Sequence, residues 1–249
     1  MQEIFLKTQD NTKIALNHYS SGRNCVIIIC PGWYMCKDSK VFKAISEDFF
    51  KNYDVITMDF RGHGRSSGCY TFSAKEPVDL KAVVNYAKTK YTKIGLIGFS
   101  LGGATAIIHT AKYKDIDYLI AVSAPCDFYK IENRWFKKEA FIPTIRKFEL
   151  WRARGVRPGN PLLKKVKPVD VVQNIVPIPV LFLAGEKDPT IYPWHAQELY
   201  NKACGIKSIN IFQNNYHAED LYLSSREKFM NCCYEWFSNI KEAGECKRH

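Results

Sequence analysis

A serine stands at the centre of the segment Gly98–Gly102, which reads Gly-Phe-Ser-Leu-Gly. The apolar run Ile94–Phe99 predicts a buried strand, and Ala104–Ile108 begins a helical pattern. Ser100 would therefore occupy a tight strand-to-helix turn, in which the glycines at both ends avoid a clash. The helix would direct backbone N–H groups toward negative charge that forms beside the serine. An ordinary glycine-rich turn without chemistry is the alternative for this motif alone.

A serine hydroxyl attacks a carbonyl carbon only when a base accepts its proton and a third group orients that base. Two later strand patterns, Pro179–Ala184 and Lys207–Phe212, are followed by loops that carry Asp188 and His217. Because the carboxyl ends of parallel strands share one edge of a sheet, we expect both side chains to lie near Ser100. The spacing therefore predicts that these three residues are catalytic.

Alternatives exist for both partners of Ser100. Glu186 precedes Asp188 by two positions and is a second candidate acid, while Asp188 could serve only an Asx turn. His217 could instead cap the helix that begins near Ala218. The other histidines do not follow a strand end after the acid: His18, His63, His109, His195 and His249.

The order of strand and helix patterns predicts an α/β fold. Two short strand patterns, Glu3–Thr8 and Thr12–Tyr19, predict an antiparallel hairpin, and the apolar run Cys25–Cys30 is typical of a strand buried on both faces. Strands then alternate with helices, which indicates a doubly wound, mostly parallel sheet of about eight strands. The further predicted strands are Asp54–Asp59, Lys93–Phe99, Tyr118–Ser123, Pro179–Ala184 and Lys207–Phe212, and the predicted helices are Val41–Lys51, Glu76–Lys90, one ending at Tyr113, Trp194–Ala203 and Ser224–Ile240.

One stretch, residues 125–170, interrupts this alternation. It has no strand pattern and is rich in aromatic and basic residues, so we expect a helical lid inserted into a core formed by residues 1–124 and 171–240. Between Lys130 and Lys167 the chain has twelve Lys and Arg against three Glu, which supplies most of the net charge of +11. This basic face could be merely solvated, or could attract anionic substrates or an anionic membrane surface. The tail, residues 241–249, is predicted to fray.

The serine turn, followed in chain order by Asp188 and His217, resembles the α/β-hydrolase fold superfamily over residues Cys25 to Ile240. The resemblance implies a serine carboxylesterase or lipase, closest to small lidded members of the feruloyl-esterase-like or monoacylglycerol-lipase-like kind. It implies an acyl-enzyme on Ser100, with no metal and no organic cofactor. Peptidases, thioesterases and acyltransferases that share this triad are alternatives, as is a binding protein without catalysis.

The resemblance also implies an oxyanion hole built from two backbone N–H groups. One donor would be Leu101, directly after the nucleophile. The other would come from the loop after the third strand, where the family commonly has His-Gly-x. Here a proline replaces that histidine, so Gly32 would permit the close approach and Trp33 would supply the N–H. The segment Asp59–Ser66 resembles the family's D-x-R-G-x-G-x-S loop, and we interpret it, with its His63, as structural.

Composition limits the other classes of function. No apolar run reaches membrane length and no signal peptide is apparent at Met1–Lys7, so we expect no transmembrane segment. The nine cysteines include no C-x-x-C pair, which is typical of reduced thiols without a zinc site. No nucleic-acid-binding motif accompanies the basic residues. We therefore expect a cytoplasmic enzyme whose partner is a small ester; the sequence leaves its oligomeric state open.

Overall fold

The computed structural model describes residues 1–132 and 156–245, with side chains as far as residue 238. Within these ranges, eight strands form one sheet: β1 Gln2–Lys7, β2 Lys13–Tyr19, β3 Cys25–Cys30, β4 Asp54–Met58, β5 Lys93–Phe99, β6 Tyr118–Val122, β7 Val180–Gly185 and β8 Lys207–Phe212. Their order across the sheet is β1-β2-β4-β3-β5-β6-β7-β8. The strand β2 is antiparallel to β1 and to β4, whereas the other neighbouring pairs are parallel. This architecture confirms the predicted fold class.

Helices lie on both faces of the sheet. The helices are α1 Lys40–Phe50, α2 Glu76–Lys88, α3 Leu101–Tyr113, α4 Pro168–Val171, α5 Trp194–Lys202, α6 Asp220–Ser224 and α7 Arg226–Glu245. The single helix predicted over Ser224–Ile240 is wrong in its boundaries, because Ser225 leaves the helical conformation with φ of −144° and ψ of 49°. Its hydroxyl accepts a hydrogen bond from the Asn215 amide at 3.1 Å. The last helix extends to Glu245, so residues 241–245 of the predicted tail are helical, and residues 246–249 lie outside the described residues.

The hydrophobic core has two parts, one on each face of the sheet. Alternate residues of β3 point to opposite faces: Val26 and Ile28 join the cluster under α2 and α3, and Ile27 and Ile29 join the cluster under α1 and α7. All six residues of this strand are buried. A strand that is covered on both faces has to be apolar throughout, which explains the uninterrupted run Cys25–Cys30.

Successive strands are added on opposite sides of β3, which is the point where the strand order across the sheet changes direction. From β3 the chain moves outward to β4, and from β4 it returns past β3 to β5. The helices that follow β3 and β5, α1 and α3, lie on opposite faces of the sheet. In open α/β sheets, ligands bind outside the carboxyl ends of the strands at such a point. Ser100 follows β5 directly there.

Half of the predicted lid, residues 133–155, lies outside the described residues. Of the remainder, Phe128–Lys130 forms a short 3-10 turn, and Pro168–Val171 forms α4. Residue Pro158 forms an isolated parallel bridge with Tyr70, in the loop after β4. None of the helices in residues 1–132 and 156–245 combines the length and the apolar composition of a membrane span.

Candidate active site

Ser100 occupies a strained turn between β5 and α3. Its φ of 52° and ψ of −120° form a combination that residues other than glycine seldom adopt. A Cβ at Gly98 would lie 2.5 Å from the carbonyl oxygen of Gly102. A Cβ at Gly102 would collide with the carbonyl oxygens of Cys30 and Pro31. Both glycines of the motif are therefore required by the close packing of this turn.

The loop after β8 places His217 against Ser100. Nε2 of His217 lies 2.9 Å from Oγ of Ser100, within reach of a hydrogen bond that the hydroxyl donates. Nδ1 of the same ring lies 2.7 Å from Oδ2 of Asp188. When Nδ1–H donates to this carboxylate, Nε2 is the unprotonated nitrogen and can accept the hydroxyl proton. The His217 side chain is 18% exposed, so the ring is not sealed off from solvent.

Asp188 is held by its own loop. Its side chain is fully buried, and Oδ1 accepts the backbone N–H groups of Thr190 and Ile191, each at 2.9 Å. One oxygen of the carboxylate is therefore fixed by the backbone while the other faces His217. These two backbone donors have no signal in the sequence, because any residue except proline supplies an N–H.

Glu186, the alternative acid, has a different partner. This residue is exposed, and its Oε2 accepts the backbone N–H of Asn214 at 2.8 Å. The contact joins the loop after β7 to the loop that carries His217. The structure thus brings Ser100, Asp188 and His217 together and directs Glu186 toward the histidine loop's backbone.

The loop after β3 lies directly beside Ser100. A Cβ at Gly32 would lie 3.1 Å from both the Phe99 carbonyl oxygen and Cβ of Ser100. Only glycine therefore lets this loop come so close without a shift. Trp33 follows, with its indole stacked on the ring of Tyr34 at 4.2 Å between centroids. The predicted donors of the oxyanion hole thus belong to segments that flank the nucleophile on two sides.

Leu101 is the first residue of α3. Its N–H has no acceptor within the helix, as is true of every first helical position. Because Leu101 follows Ser100 directly, this N–H lies at the positive end of the helix dipole, where negative charge on a bound substrate is stabilised. The role of Leu101 as an oxyanion donor stays a prediction.

The loop conformation at Tyr34 depends on His63. Tyr34 has φ of 66°, a left-handed conformation that is unfavourable for an aromatic residue. Its N–H donates to Nε2 of His63 at 3.3 Å, and Nδ1 of His63 lies 3.2 Å from the Arg61 carbonyl oxygen. Burial lowers the pKa of His63 to about 4, so the ring is neutral near pH 7. His63 therefore supports the loop after β3 as a neutral hydrogen-bonding group.

The loop that carries His63 is anchored by ion pairs of Arg61 and by the buried carboxylate of Asp59. The Arg61 guanidinium pairs with Asp79 at 2.6 Å and with Asp10 at 2.7 Å. Asp59 accepts the backbone N–H groups of Lys37 at 2.7 Å and of Arg65 at 2.9 Å. Burial raises the pKa of Asp59 to about 6. These contacts agree with the structural interpretation of segment Asp59–Ser66.

The remaining histidines contact other partners. A ring nitrogen of His18 lies 3.0 Å from the Tyr86 hydroxyl. A ring nitrogen of His109 lies 2.8 Å from the Asp115 carboxylate, and one of His195 lies 3.2 Å from the Glu132 carboxylate. His249 lies outside the described residues. In the part of the chain that the structure describes, no group of three or more His, Cys, Asp or Glu side chains could hold a metal ion.

Comparisons with known proteins agree with this architecture. Residues 26–139 match the family model described as alpha/beta hydrolase fold. An uncharacterized protein of Bacillus subtilis, YqkD, is 29% identical over 88% of this chain and 73% of its own length. The human serine hydrolase BPHL is 22% identical over 88% of this chain and 83% of its own length.

Solved structures share the whole fold. The Pyrococcus furiosus esterase Pf2001 superposes with a TM-score of 0.80 at 24% identity, covering 96% of this chain and 90% of that one. The chain therefore has the α/β-hydrolase fold, and residues 26–139 are similar in sequence to the family model of that name.

Proposed function

We propose that this protein is a serine hydrolase that cleaves carboxylic esters through an acyl-enzyme on Ser100. The observation that carries the proposal is the chain of short contacts from Ser100 Oγ to His217 Nε2 at 2.9 Å and from His217 Nδ1 to Asp188 Oδ2 at 2.7 Å. A hydroxyl, a base and a buried carboxylate in this order are the parts that nucleophilic catalysis by serine needs.

In the first half of the proposed reaction, Ser100 Oγ bonds to the ester carbonyl carbon while His217 Nε2 takes the hydroxyl proton. The carbonyl oxygen becomes an oxyanion, which the N–H groups of Trp33 and Leu101 stabilise. Collapse of this intermediate breaks the bond to the alcohol oxygen, and His217 returns the proton to that oxygen. The alcohol leaves, and the acyl group stays on Ser100.

In the second half, a water molecule replaces the alcohol. The water oxygen attacks the acyl carbon while His217 takes a proton from the water, and the same two N–H groups stabilise the second oxyanion. The bond to Ser100 Oγ then breaks, the proton passes from His217 to the serine, and a carboxylic acid leaves. Asp188 keeps Nδ1 protonated and stabilises the imidazolium that forms in each half.

Esters are the proposed substrates because the similar solved structure Pf2001 is that of an esterase and human BPHL is named a serine hydrolase. A lidded carboxylesterase of the feruloyl-esterase-like or monoacylglycerol-lipase-like kind, acting on a small ester in the cytoplasm, is the finer form of this proposal. The triad itself serves peptidases, thioesterases and acyltransferases equally well.

The test is a substrate panel assayed with one enzyme preparation. We expect hydrolysis of p-nitrophenyl acyl esters of increasing length, and faster turnover of esters than of matched thioesters or aminoacyl amides. The variant Ser100→Ala is the control and should hydrolyse none of them above background. Turnover confined to the amides or the thioesters would replace the esterase proposal with a peptidase or a thioesterase.

A further inference from the structure

The end of β6 contacts all three segments that carry the proposed triad. The Val122 carbonyl oxygen accepts the N–H of Ser100 at 2.8 Å. The next residue, Ser123, donates its own N–H to the carbonyl oxygen of Leu183 at 2.7 Å, in the strand that leads to Asp188. The side-chain Oγ of Ser123 accepts the N–H of Ala218 at 3.1 Å, directly after the histidine. Two adjacent residues thus connect the nucleophile turn, the acid strand and the histidine loop.

The contact at Ala218 is the one that bears on the histidine. Ala218 has φ of 51°, a left-handed conformation that is unfavourable for alanine, and it is fully buried. A buried N–H needs an acceptor, and leaving it unsatisfied costs more than the bond itself contributes. Ser123, with 1% of its surface exposed, supplies that acceptor through its side chain. The hydroxyl therefore stabilises the strained conformation immediately after His217.

A second side chain holds the histidine loop from the other direction. Asn214 also has a left-handed backbone, with φ of 59°, and its N–H is accepted by Glu186 Oε2 at 2.8 Å. Glu186 is exposed, so water can replace it as an acceptor. Water has no comparable access to Ser123. The buried hydroxyl is consequently the contact that the loop depends on more.

We infer that Ser123 is a positioning residue for His217, an inference that rests on the proposed serine-hydrolase function. By accepting the Ala218 N–H, its hydroxyl fixes the backbone from which the imidazole projects. Nε2 is then held within hydrogen-bond distance of Ser100 Oγ while Nδ1 faces Asp188. Ser123 touches neither reacting atoms nor substrate in this role. Its effect reaches the reaction only through the placement of the base.

The test compares Ser123→Ala and Ser123→Gly with the wild-type chain. Both variants lack the hydroxyl, but glycine also removes any strain from the φ of 46° at this position. With p-nitrophenyl acetate we expect kcat to fall about tenfold to a hundredfold in both variants, and KM to change much less. The Ala218 N–H would be left without an acceptor, and the backbone that positions His217 would become less well ordered. Ser123→Cys keeps a weaker acceptor, so its kcat should lie between that of these two variants and that of the wild type.

A matched control separates positioning from general stability. Ser46 is also fully buried, and its hydroxyl bonds the Phe42 carbonyl oxygen and the Thr57 hydroxyl, away from the triad. Ser46→Ala should lower the unfolding temperature without lowering kcat per folded molecule. If Ser123→Ala behaves like Ser46→Ala, or if Ser123→Gly retains full kcat, the positioning role is overturned.

Proton NMR provides a readout that does not require turnover. The Nδ1–H of His217, shared with Asp188, should give a low-field resonance in the wild type that is missing in His217→Gln. We expect this resonance to broaden or disappear in both Ser123→Ala and Ser123→Gly. An unchanged resonance would contradict the inference even if the wild type hydrolysed no ester, whereas absent hydrolysis with a lost resonance would contradict only the proposed function.

Discussion

A carboxylate on a strand-end loop orients a histidine only if one of its oxygens faces Nδ1. Position in the chain does not decide this between Asp188 and Glu186, which lie in the same loop. The structure separates them by burial and direction: Asp188 is fully buried and bonds His217, whereas Glu186 is exposed and bonds the Asn214 backbone. The sequence therefore predicts which loop carries the acid. The orientation of Asp188 toward His217 depends on the turn in which the Thr190 and Ile191 N–H groups donate to its carboxylate.

The two carboxylates give a direct prediction at the scale of single residues. Asp188→Asn should lower kcat about a thousandfold to ten-thousandfold, because the amide NH2 would donate to Nδ1 of His217 and favour the tautomer in which Nε2 is already protonated. Glu186→Gln keeps an oxygen acceptor for the Asn214 N–H and should stay within about threefold of the wild type. Steady-state kinetics on p-nitrophenyl acetate measures both. The opposite ranking of the two variants would assign the acid to Glu186.

His63 gives a prediction about stability and pH. Burial lowers its pKa from 6.5 to about 4, so between these values the unfolded chain binds a proton that the folded chain does not. The contribution of His63 to the free energy of unfolding should therefore fall by an amount on the order of 3 kcal/mol as the pH falls from 6.5 to 4. Asp59, whose pKa is raised to about 6, acts in the opposite direction over the acid range.

Comparison with His63→Asn isolates the histidine. The variant does not titrate, so its urea-unfolding free energy should decrease less than that of the wild type between pH 7 and pH 4.5. Parallel curves for the two proteins would show that His63 is not buried in its neutral form.

At the scale of elements, the loop after β3 approaches the nucleophile turn closely enough to be sensitive to substitution. A Cβ at Gly32 would lie 3.1 Å from Phe99 O and Ser100 Cβ, so Gly32→Ala should displace the loop by a few tenths of an ångström. We expect kcat to fall about tenfold to a hundredfold with little change in KM, because a misplaced oxyanion donor affects the transition state most.

Gly22 supplies the control for this substitution. It lies in an exposed turn, and a Cβ there would have nothing within 4 Å, although its φ of 81° disfavours alanine. Gly22→Ala should therefore reduce stability slightly and leave kcat unchanged. If Gly32→Ala also left kcat unchanged, the proposed donor in this loop would lose its support.

The strands were more predictable than the contacts between loops. Continuous apolar runs such as Cys25–Cys30 follow directly from burial on both faces, and this run agrees with β3 residue for residue. A break such as Ser225 before the C-terminal helix carries no periodic signal, because it depends on a hydrogen bond from the side-chain amide of Asn215, in the loop that carries His217. The contact between Ser123 and Ala218 joins two loops far apart in the chain and has no signal in the sequence.

At the scale of the whole molecule, charge is the property that bears on substrate choice. The chain has a net charge of +11, and twelve of its basic residues fall between Lys130 and Lys167, a stretch partly outside the described residues. A concentration of positive charge near the site would attract anionic substrates, and salt would screen that attraction. Net charge concerns encounter rates here and does not enter the chemical step.

This gives a prediction about ionic strength. The kcat/KM for an ester with an anionic acyl group should fall as salt rises from about 0.01 M to 1 M, where the Debye length shortens from about 30 Å to 3 Å. A neutral ester of the same length should show no such dependence. If kcat/KM changed equally with salt for the two esters, the basic residues would have no role in attracting the substrate and would be only a solvated surface.

The central claim is that Ser100 is a nucleophile activated by His217 and Asp188. Its most direct test is intact-mass spectrometry after treatment with a fluorophosphonate probe, followed by peptide mapping. We predict a single adduct on Ser100 in the wild type, no adduct in Ser100→Ala and strongly slowed labelling in His217→Gln. Labelling that persisted in Ser100→Ala, or a wild-type chain that formed no adduct, would contradict the account.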